Sequence, residues 1–579
     1  MKQLMLGNEA VARGLYEAGC SFVSSYPGTP STEITEYAAK YKEIYAEWAP
    51  NEKVAVEAAF GACVAGKRSF CSMKHVGLNV AADPVFTISY TGVNAGMIIG
   101  VADDAGMHSS QNEQDSRHYA IAAKIPMLEP ADAAESLSFT KLAYEISEKY
   151  DTPVFIKMCT RVAHSQSVIE TSERVETSKP YEKDGAKYIM MPGNAKRRHP
   201  IVEARTAALT EYAETSTVNR IEDGSDHSIG IITSSTSYQY AKEVCGDKYP
   251  VLKLGMINPM PVKKIQEFAK SVDRVVVIEE LDGIIETHCK NIGVDVSGKE
   301  LFTCIDEFSQ NMVAEKLGFT PDCGKKLDEN IPARPPVMCA GCPHRGLFYT
   351  LKKNKLTVFG DIGCYTLGAV PPLAAIDTTI CMGASVSGIH GFNKANDGKS
   401  DGKTVAVIGD STFMHSGVTG LINIAYNESN STVIILDNSI TGMTGHQQNP
   451  TTGFNLKGDP CTKIDLETLC RSVGIKRVRV VDPYNLKECD DAVKEELAAD
   501  EPSVIISRRP CALLKYVKHN GPITADSDKC IGCKSCMKIG CPAISIVDGK
   551  VKIDATLCTG CGVCSQLCKL GALPNGKES

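Results

Sequence analysis

Eight cysteines late in the chain fall into two runs, Cys530-x2-Cys533-x2-Cys536-x4-Cys541 and Cys558-x2-Cys561-x2-Cys564-x3-Cys568. Thiolates at this spacing suit a compact inorganic cube. Three cysteines two residues apart wrap one side of a [4Fe–4S] cluster, and the fourth ligand arrives from elsewhere. Two structural zinc sites are the other use of such residues, but zinc knuckles rarely employ two triply spaced runs. The spacing therefore predicts two iron–sulfur clusters and electrons moved one at a time.

In bacterial two-cluster ferredoxins the fourth cysteine of each run ligates the other cluster. On that pattern Cys530, Cys533, Cys536 and Cys568 hold one cluster, and Cys558, Cys561, Cys564 and Cys541 the other. The first run has four residues before its last cysteine instead of three, and the second ends in Lys569 instead of proline. Neither departure changes the ligand count, though both alter the local loops. Residues 520–579 hold seven Lys against five Asp plus Glu, within a chain of net charge −7. A mildly basic face suits an acidic redox partner, and a solvated surface accounts for it equally well.

A second constellation lies upstream. Gly409-Asp410-Ser411 closes the apolar run TVAVIG, and Asn438, 28 residues after Asp410, closes STVIILD. Open α/β sheets hold ligands at the carboxyl ends of their strands. Asp410, Asn438 and the Ile440 carbonyl offer hard oxygens for octahedral Mg²⁺, which diphosphate oxygens and water would complete. A strand-ending Asp is common; its Asn partner raises the reading. The pattern resembles the thiamine diphosphate fingerprint, GDG followed by an Asn, with Ser411 in place of the last glycine. Cys381-Met-Gly383-Ala-Ser385 then reads as a small-residue turn that lets the backbone approach a cofactor. Thiamine enzymes also need a carboxyl group facing the aminopyrimidine ring. Glu52, which opens the helical stretch EKVAVEAAFGACV, fits that role, with Glu57 as the alternative. An acid favoured by the helix dipole in the first turn is the bland explanation.

The elements that must position these residues are mostly α/β, with a tail that reads as an α+β two-cluster ferredoxin domain. At 579 residues the chain is too long for one core. Residues 1–165 alternate Gly-rich turns, helices and short strands, as a pyrimidine-binding domain would. Residues 166–227 are charged and irregular and read as a linker. Residues 228–330 contain three apolar strands separated by helices, a small parallel-sheet domain. A Pro-rich joint opens 331–518, the diphosphate-binding domain, and 519–579 is the cysteine-rich tail. The stretch Pro84 to Ala102 is apolar but broken by Thr, Ser, Asn and Gly, and reads as a buried strand–loop–strand instead of a membrane span. With a pI near 6.0 and no basic stripe, nucleic acid is not an expected partner. Twenty-four cysteines without an export signal point to reduced thiols, metal ligation and a cytoplasmic location.

Nearly the whole chain resembles the large (alpha) subunits of the indolepyruvate:ferredoxin oxidoreductases, within the 2-oxoacid:ferredoxin oxidoreductase family. The segments that carry this are YPGTPST (26–32), NEKVAVEAAFGA (51–62), MKHVGLNVAADP (73–84), SSQNEQDSR (109–117), CAGCPHRG (339–346), GDIGCYTLG (360–368), GDSTFMHSG (409–417), LDNSITGMTGHQ (436–447) and the double cysteine run. The resemblance implies oxidative decarboxylation of an aryl 2-oxoacid, with coenzyme A taking the acyl group and electrons passing through the clusters to ferredoxin. It implies thiamine diphosphate and Mg²⁺ as cofactors. A smaller beta subunit would complete a heterodimer or a heterotetramer of two alpha and two beta chains. Gly409, Asp410, Ser411, Asn438, Gly383, Ser385, Thr441 and His344 would surround the cofactor, with Arg345 reaching the diphosphate as well. Thr29 would hydrogen-bond the substrate and Arg117 would pair with its carboxylate, a task suited to a planar guanidinium. Lys74, His75, Gln447 and His415 fall in matching segments without a defined role. Cys339, Cys342, Cys364 and Cys511 fall where pyruvate:ferredoxin oxidoreductases ligate a further cluster close to thiamine. A structural Cys339–Cys342 pair is the alternative. A non-redox thiamine decarboxylase with structural clusters, or a bare electron-transfer subunit, are the competing functions.

Overall fold

Short runs such as TVAVIG and TVIILD are apolar at every position, which favours parallel strands covered on both faces by helices. The computed structural model describes residues 1–322, 324 and 329–574. Residues 323, 325–328 and 575–579, included in the expected segments 228–330 and 519–579, lie outside the described residues. The chain divides into two compact units, Met1–Glu329 and Asn330–Ser579.

In the first unit, strands β1 (Phe22–Ser25), β2 (Tyr45–Trp48), β3 (Ser69–Lys74), β4 (Met97–Asp103), β5 (Met127–Leu128) and β6 (Val154–Cys159) run parallel. Helices α1 (Glu52–Val64) and α2 (His75–Thr91) precede β3 and β4. A second sheet follows, built from β7 (Arg220–Glu222), β8 (Gly230–Thr233), β9 (Val251–Lys253), β11 (Val275–Ile278) and β12 (Val296–Ser297). Between them β10 (Met256–Asn258) crosses back and pairs antiparallel with β5, giving the first sheet the order β10-β5-β6-β4-β3-β1-β2. The two sheets therefore share one core, in which Met127 and Phe155 pack with Ile232, Leu252 and Val277.

Two expectations are corrected here. Pro84 to Ala102 is helix–loop–strand: α2 runs through Pro84, and β4 follows. Its buried positions Leu78, Ala81, Val85 and Ile88 recur at three- and four-residue steps, a helical period that the proline and the short apolar blocks obscured. Residues 166–227 are also more than a linker. Gln166–Glu170 pairs antiparallel with Lys2–Leu6, and Pro192–Thr215 forms a 24-residue helix, α3. The helix buries a narrow stripe of Val202, Arg205, Leu209 and Ala213, while Arg205 donates to the carbonyls of Asp151 and Ser89.

The second unit is built on one fully parallel sheet. Its strands β13 (Thr357–Phe359), β14 (Thr404–Gly409), β15 (Thr432–Asp437), β16 (Arg477–Val481) and β17 (Ser503–Arg508) lie in the order β13-β14-β15-β17-β16. Gly409 is in register with Leu436, so β14 and β15 end level and deliver Asp410 and Asn438 to one edge. Helices α4 (His344–Lys353) and α5 (Ala384–Ala395) flank the sheet, and Leu486–Leu497 packs on α4. The cysteine-rich tail carries a hairpin, β18 (Ile544–Val547) with β19 (Lys550–Ile553). It docks on this unit through Leu486, Tyr349 and Tyr484, and Gln566 bonds both the Leu486 N–H and the Tyr484 carbonyl. Among the described residues no helix is long and apolar enough to cross a membrane.

Candidate functional site

At the carboxyl edge of the first sheet the chain gathers polar residues from several loops. After β1 the turn Tyr26–Pro30 carries Thr29, half-buried, and is held by Asn8, whose amide donates to the Pro30 carbonyl at 2.7 Å. Ser31 Oγ donates to the Gly28 carbonyl at 2.8 Å. A Cβ at Gly28 would meet Lys74 Cβ at 3.2 Å, so the Thr29 turn lies against the end of β3. Lys74 Nζ donates to the Ser109 carbonyl at 2.6 Å, and burial lowers its proton affinity. His75 faces the Asn112 carbonyl, and burial likewise favours its neutral form.

Glu52 opens α1 behind the Asn51 cap, whose side chain accepts from the Val54 N–H. Its carboxyl group is buried directly against α2: a Cβ built on Gly77 would sit 2.5 Å from Glu52 Oε1. Gly77 is thus what leaves room for the acid. Glu57, the alternative, is paired with Lys53 at 3.0 Å on the exposed face of the same helix.

Arg117 departs from its expected role. Its guanidinium is 2% exposed and is bonded to Asp115, to Glu279 Oε2 at 2.7 Å and to the carbonyls of Glu280 and Asp282. Glu279 and Glu280 follow β11, so Arg117 ties the second sheet to the first instead of waiting for a substrate carboxylate. Lys157, Glu129 and Ser234 continue the network, with Lys157 Nζ 2.6 Å from Glu129 Oε1. Removing one partner of such a buried group leaves uncompensated carboxylates. Arg117→Met is therefore expected to cost about 3–5 kcal/mol, read as a lower melting temperature. An unchanged melting temperature with weakened 2-oxoacid binding would return Arg117 to the substrate.

In the second unit Asp410 and Asn438 do meet. Asp410 Oδ2 accepts from Thr451 Oγ1 at 3.1 Å and from Asn449 Nδ2 at 3.4 Å. Burial, reinforced by the nearby Asp437 charge, pushes its pKa up to about 7. A carboxylate so placed gains strongly from a cation set against it. The Asn438 amide supplies a direct test of fit. One of its two terminal atoms lies 3.3 Å from Asp410 Oδ1 and 2.8 Å from the Ile440 carbonyl. With nitrogen in that position the amide donates to both; with oxygen there, three oxygens converge on one point. That donor set fits a hard divalent ion. Thr441 Oγ1 donates to Ser411 Oγ at 2.9 Å, closing the loop over the same edge.

The small-residue turn is clamped by a residue that sequence reasoning passed over. Asp361 is fully buried; its Oδ1 accepts from the Gly383 N–H and its Oδ2 from the Ser385 N–H, each at 3.0 Å. Gly383 has φ 88°, and a Cβ there would lie 2.6 Å from Ser416 Cβ. The matching GDIGC segment held the signal, but only as an acid following an apolar strand. His344 opens α4 edge-on to Tyr365, with ring centroids 6.0 Å apart, and burial lowers its pKa to about 4. It is a neutral imidazole at neutral pH. His415 pairs with Ser416 Oγ, and the Gln447 amide donates to the Thr444 carbonyl. Arg345 departs from its expected place at the diphosphate: it donates to the carbonyls of Met338, Cys339, Ile539 and Gly540.

Twelve of the cysteines, all in this second unit, neighbour one another in three sets, and each described cysteine is free of disulfides. Burial raises the Cys536 thiol, and the neighbouring thiols of Cys533, Cys568 and Cys530 raise it further. The same four line a cavity of about 290 Å³ that also holds Lys529, Lys534 and Lys569 on its rim. Burial pushes Cys564 up to about 12, with contributions from Cys561, Cys541, Cys558 and Cys536. Cys568 thus neighbours the first-run thiols and Cys541 the second-run thiols. In the third set, burial pushes Cys342 up to about 12, with Cys339 and Cys364 adding to it, and Cys364 up to about 11, with Cys511 and Cys339 adding. Cys511 N–H donates to the Asn438 carbonyl at 2.9 Å, so this set lies beside the Asp410–Asn438 loop. Burial makes Cys536, Cys564, Cys342 and Cys364 poor acids, and a metal centre is what would convert such groups to thiolates.

Comparison with known proteins agrees with this layout. Residues 13–225 match the family described as pyruvate flavodoxin/ferredoxin oxidoreductase, thiamine diP-bdg. Residues 361–507 match the thiamine pyrophosphate enzyme, C-terminal TPP binding domain, and residues 522–569 the 4Fe-4S dicluster domain. Fold and site define a thiamine diphosphate-binding oxidoreductase chain that ends in an iron–sulfur dicluster domain. Over its full length the chain is 38% identical to the indolepyruvate oxidoreductase subunit IorA of Archaeoglobus fulgidus, covering 98% of that protein. It is 40% identical to the Pyrococcus horikoshii IorA and 39% to that of Methanothermobacter thermautotrophicus, covering all of this chain and 97% and 98% of theirs. The chain belongs to the IorA family of indolepyruvate oxidoreductase subunits.

Proposed function

We propose that this chain is the catalytic alpha subunit of an indolepyruvate:ferredoxin oxidoreductase. The reaction is CoA-dependent oxidative decarboxylation of aryl 2-oxoacids to aryl-acetyl-CoA and CO₂, with the electrons leaving one at a time. Thiamine diphosphate, when bound, supplies the nucleophilic carbon and the electron sink for loss of CO₂. The chain does the rest. Asp410, Asn438 and the Ile440 carbonyl would hold Mg²⁺, and the Gly383–Ser385 turn, fixed by Asp361, would present backbone to the diphosphate. Glu52, buried against α2, would exchange a proton with the aminopyrimidine ring. Thr29, in the turn beside Lys74, donates to the substrate.

The observation that carries the redox reading is Cys511 N–H on the Asn438 carbonyl. It supports a cluster held by Cys339, Cys342, Cys364 and Cys511 within reach of the diphosphate loop, which a non-redox decarboxylase has no use for. The thiol neighbourhoods support an order for the relay. Tyr484 lies in range of both Cys342 and Cys561, which links the inner set to the Cys541, Cys558, Cys561, Cys564 set. Cys564 and Cys536 link that set to the outer one. Cys533 is exposed, and the lysines around its cavity suit an acidic ferredoxin. A smaller beta subunit, as a heterodimer or heterotetramer, completes the enzyme, and clusters with reduced thiols fit a cytoplasmic location.

The test is the co-purified complex assayed on a panel of 2-oxoacids with CoA and a viologen dye, with and without thiamine diphosphate. Indolepyruvate and phenylpyruvate are expected to drive dye reduction only when CoA and cofactor are both present. Equal rates on pyruvate and indolepyruvate would defeat the arylpyruvate assignment.

A further inference from the structure

Arg345 presents an unusual electrostatic arrangement. It is 4% exposed, and every hydrogen bond of its guanidinium goes to a backbone carbonyl. Among the described residues no carboxylate is paired with it. A buried cation is costly unless something nearby supplies negative charge. Here the groups that favour its charged form, against the opposing effect of burial, are Cys541, Cys342, Cys339 and Cys561. Cys339 and Cys342 belong to the inner cysteine set, and Cys541 and Cys561 to the set of Cys541, Cys558, Cys561 and Cys564. The carbonyls it grips are likewise divided, Met338 and Cys339 on one side and Ile539 and Gly540 on the other.

We propose that Arg345 is a positioning residue of the electron relay, a fixed positive charge held between the inner cluster and the second-run cluster. It brackets their loops together and favours the reduced state of both. The proposal rests on the reading that Cys339, Cys342, Cys364 and Cys511 ligate a cluster. A [4Fe–4S] cube with four thiolates carries a net charge of about −2 when oxidised and about −3 when reduced. A neighbouring cation stabilises the second more than the first, and the low-polarity surroundings strengthen the effect. During a hop one cluster loses an electron as the next gains it, so the negative charge passes from one side of Arg345 to the other. A cation shared by donor and acceptor supports the charge throughout, where a cation on one side alone would trap it.

The experiment is a potentiometric titration followed by electron paramagnetic resonance on the co-purified complex, with iron content measured on each preparation. Arg345→Gln keeps donors but removes the charge. It is expected to lower the one-electron reduction equilibrium of both flanking clusters about tenfold, a midpoint shift of ~59 mV, and to move the outer Cys530, Cys533, Cys536, Cys568 cluster less. Arg345→Lys is expected to keep the wild-type midpoints. If Arg345→Gln loses iron, Arg345→Lys restoring both iron and midpoints supports the proposal. Arg345→Lys shifting as far as Arg345→Gln, or losing the same iron, overturns it in favour of loop bracing alone. Wild-type protein with about twelve irons per chain and unmoved midpoints in Arg345→Gln overturns only this proposal. About eight irons, four per cube, defeats the inner-cluster reading and this proposal with it.

Discussion

Replacing Glu52 by Gln is expected to reduce turnover by roughly 10²–10⁴-fold, the usual contribution of a positioned proton-transfer group. Thiamine diphosphate content is expected to stay near wild type, because the diphosphate end is held by other residues. The substitution keeps the size of the side chain, which matters because Gly77 leaves little spare room beside the carboxyl group. Turnover on indolepyruvate, measured beside bound thiamine per chain, is the check. A Glu52→Gln enzyme at wild-type rate would remove the acid from the chemistry. Glu57 is a weak substitute, since its carboxylate is exposed and already paired with Lys53.

Cys364→Ser is expected to have the other large effect, on electron exit and not on cofactor binding. Iron should fall by about four per chain, from about twelve to about eight, while the signals of the two tail clusters persist. Reduction of ferredoxin by 2-oxoacid should fall to background. Cys364 is the informative choice within its set: a Cβ on Gly442 of the metal loop would sit 3.4 Å from its sulfur, so this thiol lies against that loop. Full iron and full ferredoxin reduction in the variant would show that Cys339 and Cys342 are a structural pair.

Much of this was legible in the sequence because the relevant chemistry is local. Three cysteines two residues apart specify one side of a cube whatever surrounds them, and the runs of Val and Ile in β14 and β15 announced buried strands with Asp410 and Asn438 at their ends. The four upstream cysteines, spread from 339 to 511, were placed by resemblance and could not have been placed by spacing. Their convergence depends on how α4, the Cys364 turn and the segment after β17 fold back on one sheet. Arg117 and Arg345 were misread for a related reason. A guanidinium in a matching segment signals an anion partner, but which anion is a matter of tertiary packing: Asp115 and Glu279 for one, carbonyls and thiols for the other. Asp361 was missed because its partners are main-chain N–H groups twenty-odd residues away, which leave no side-chain signature. Helix α3 was obscured by its charges, its apolar stripe being only one residue per turn.

The Gly341 turn between Cys339 and Cys342 has no side chain, and the space a Cβ would take is filled: Thr559 Oγ1 of the second run would lie 2.3 Å away. At that point Gly341 packs against the Thr559 side chain, its φ of 68° lies in the region glycine adopts without penalty, and its carbonyl accepts from Tyr484. The gap between the two cysteine sets is therefore set with little slack, like the spacing of two plates bolted without a washer. On the Gly341 side there is no side chain left to trim. What substitution around this junction can adjust is the driving force across the gap, through the charge and polarity that surround it.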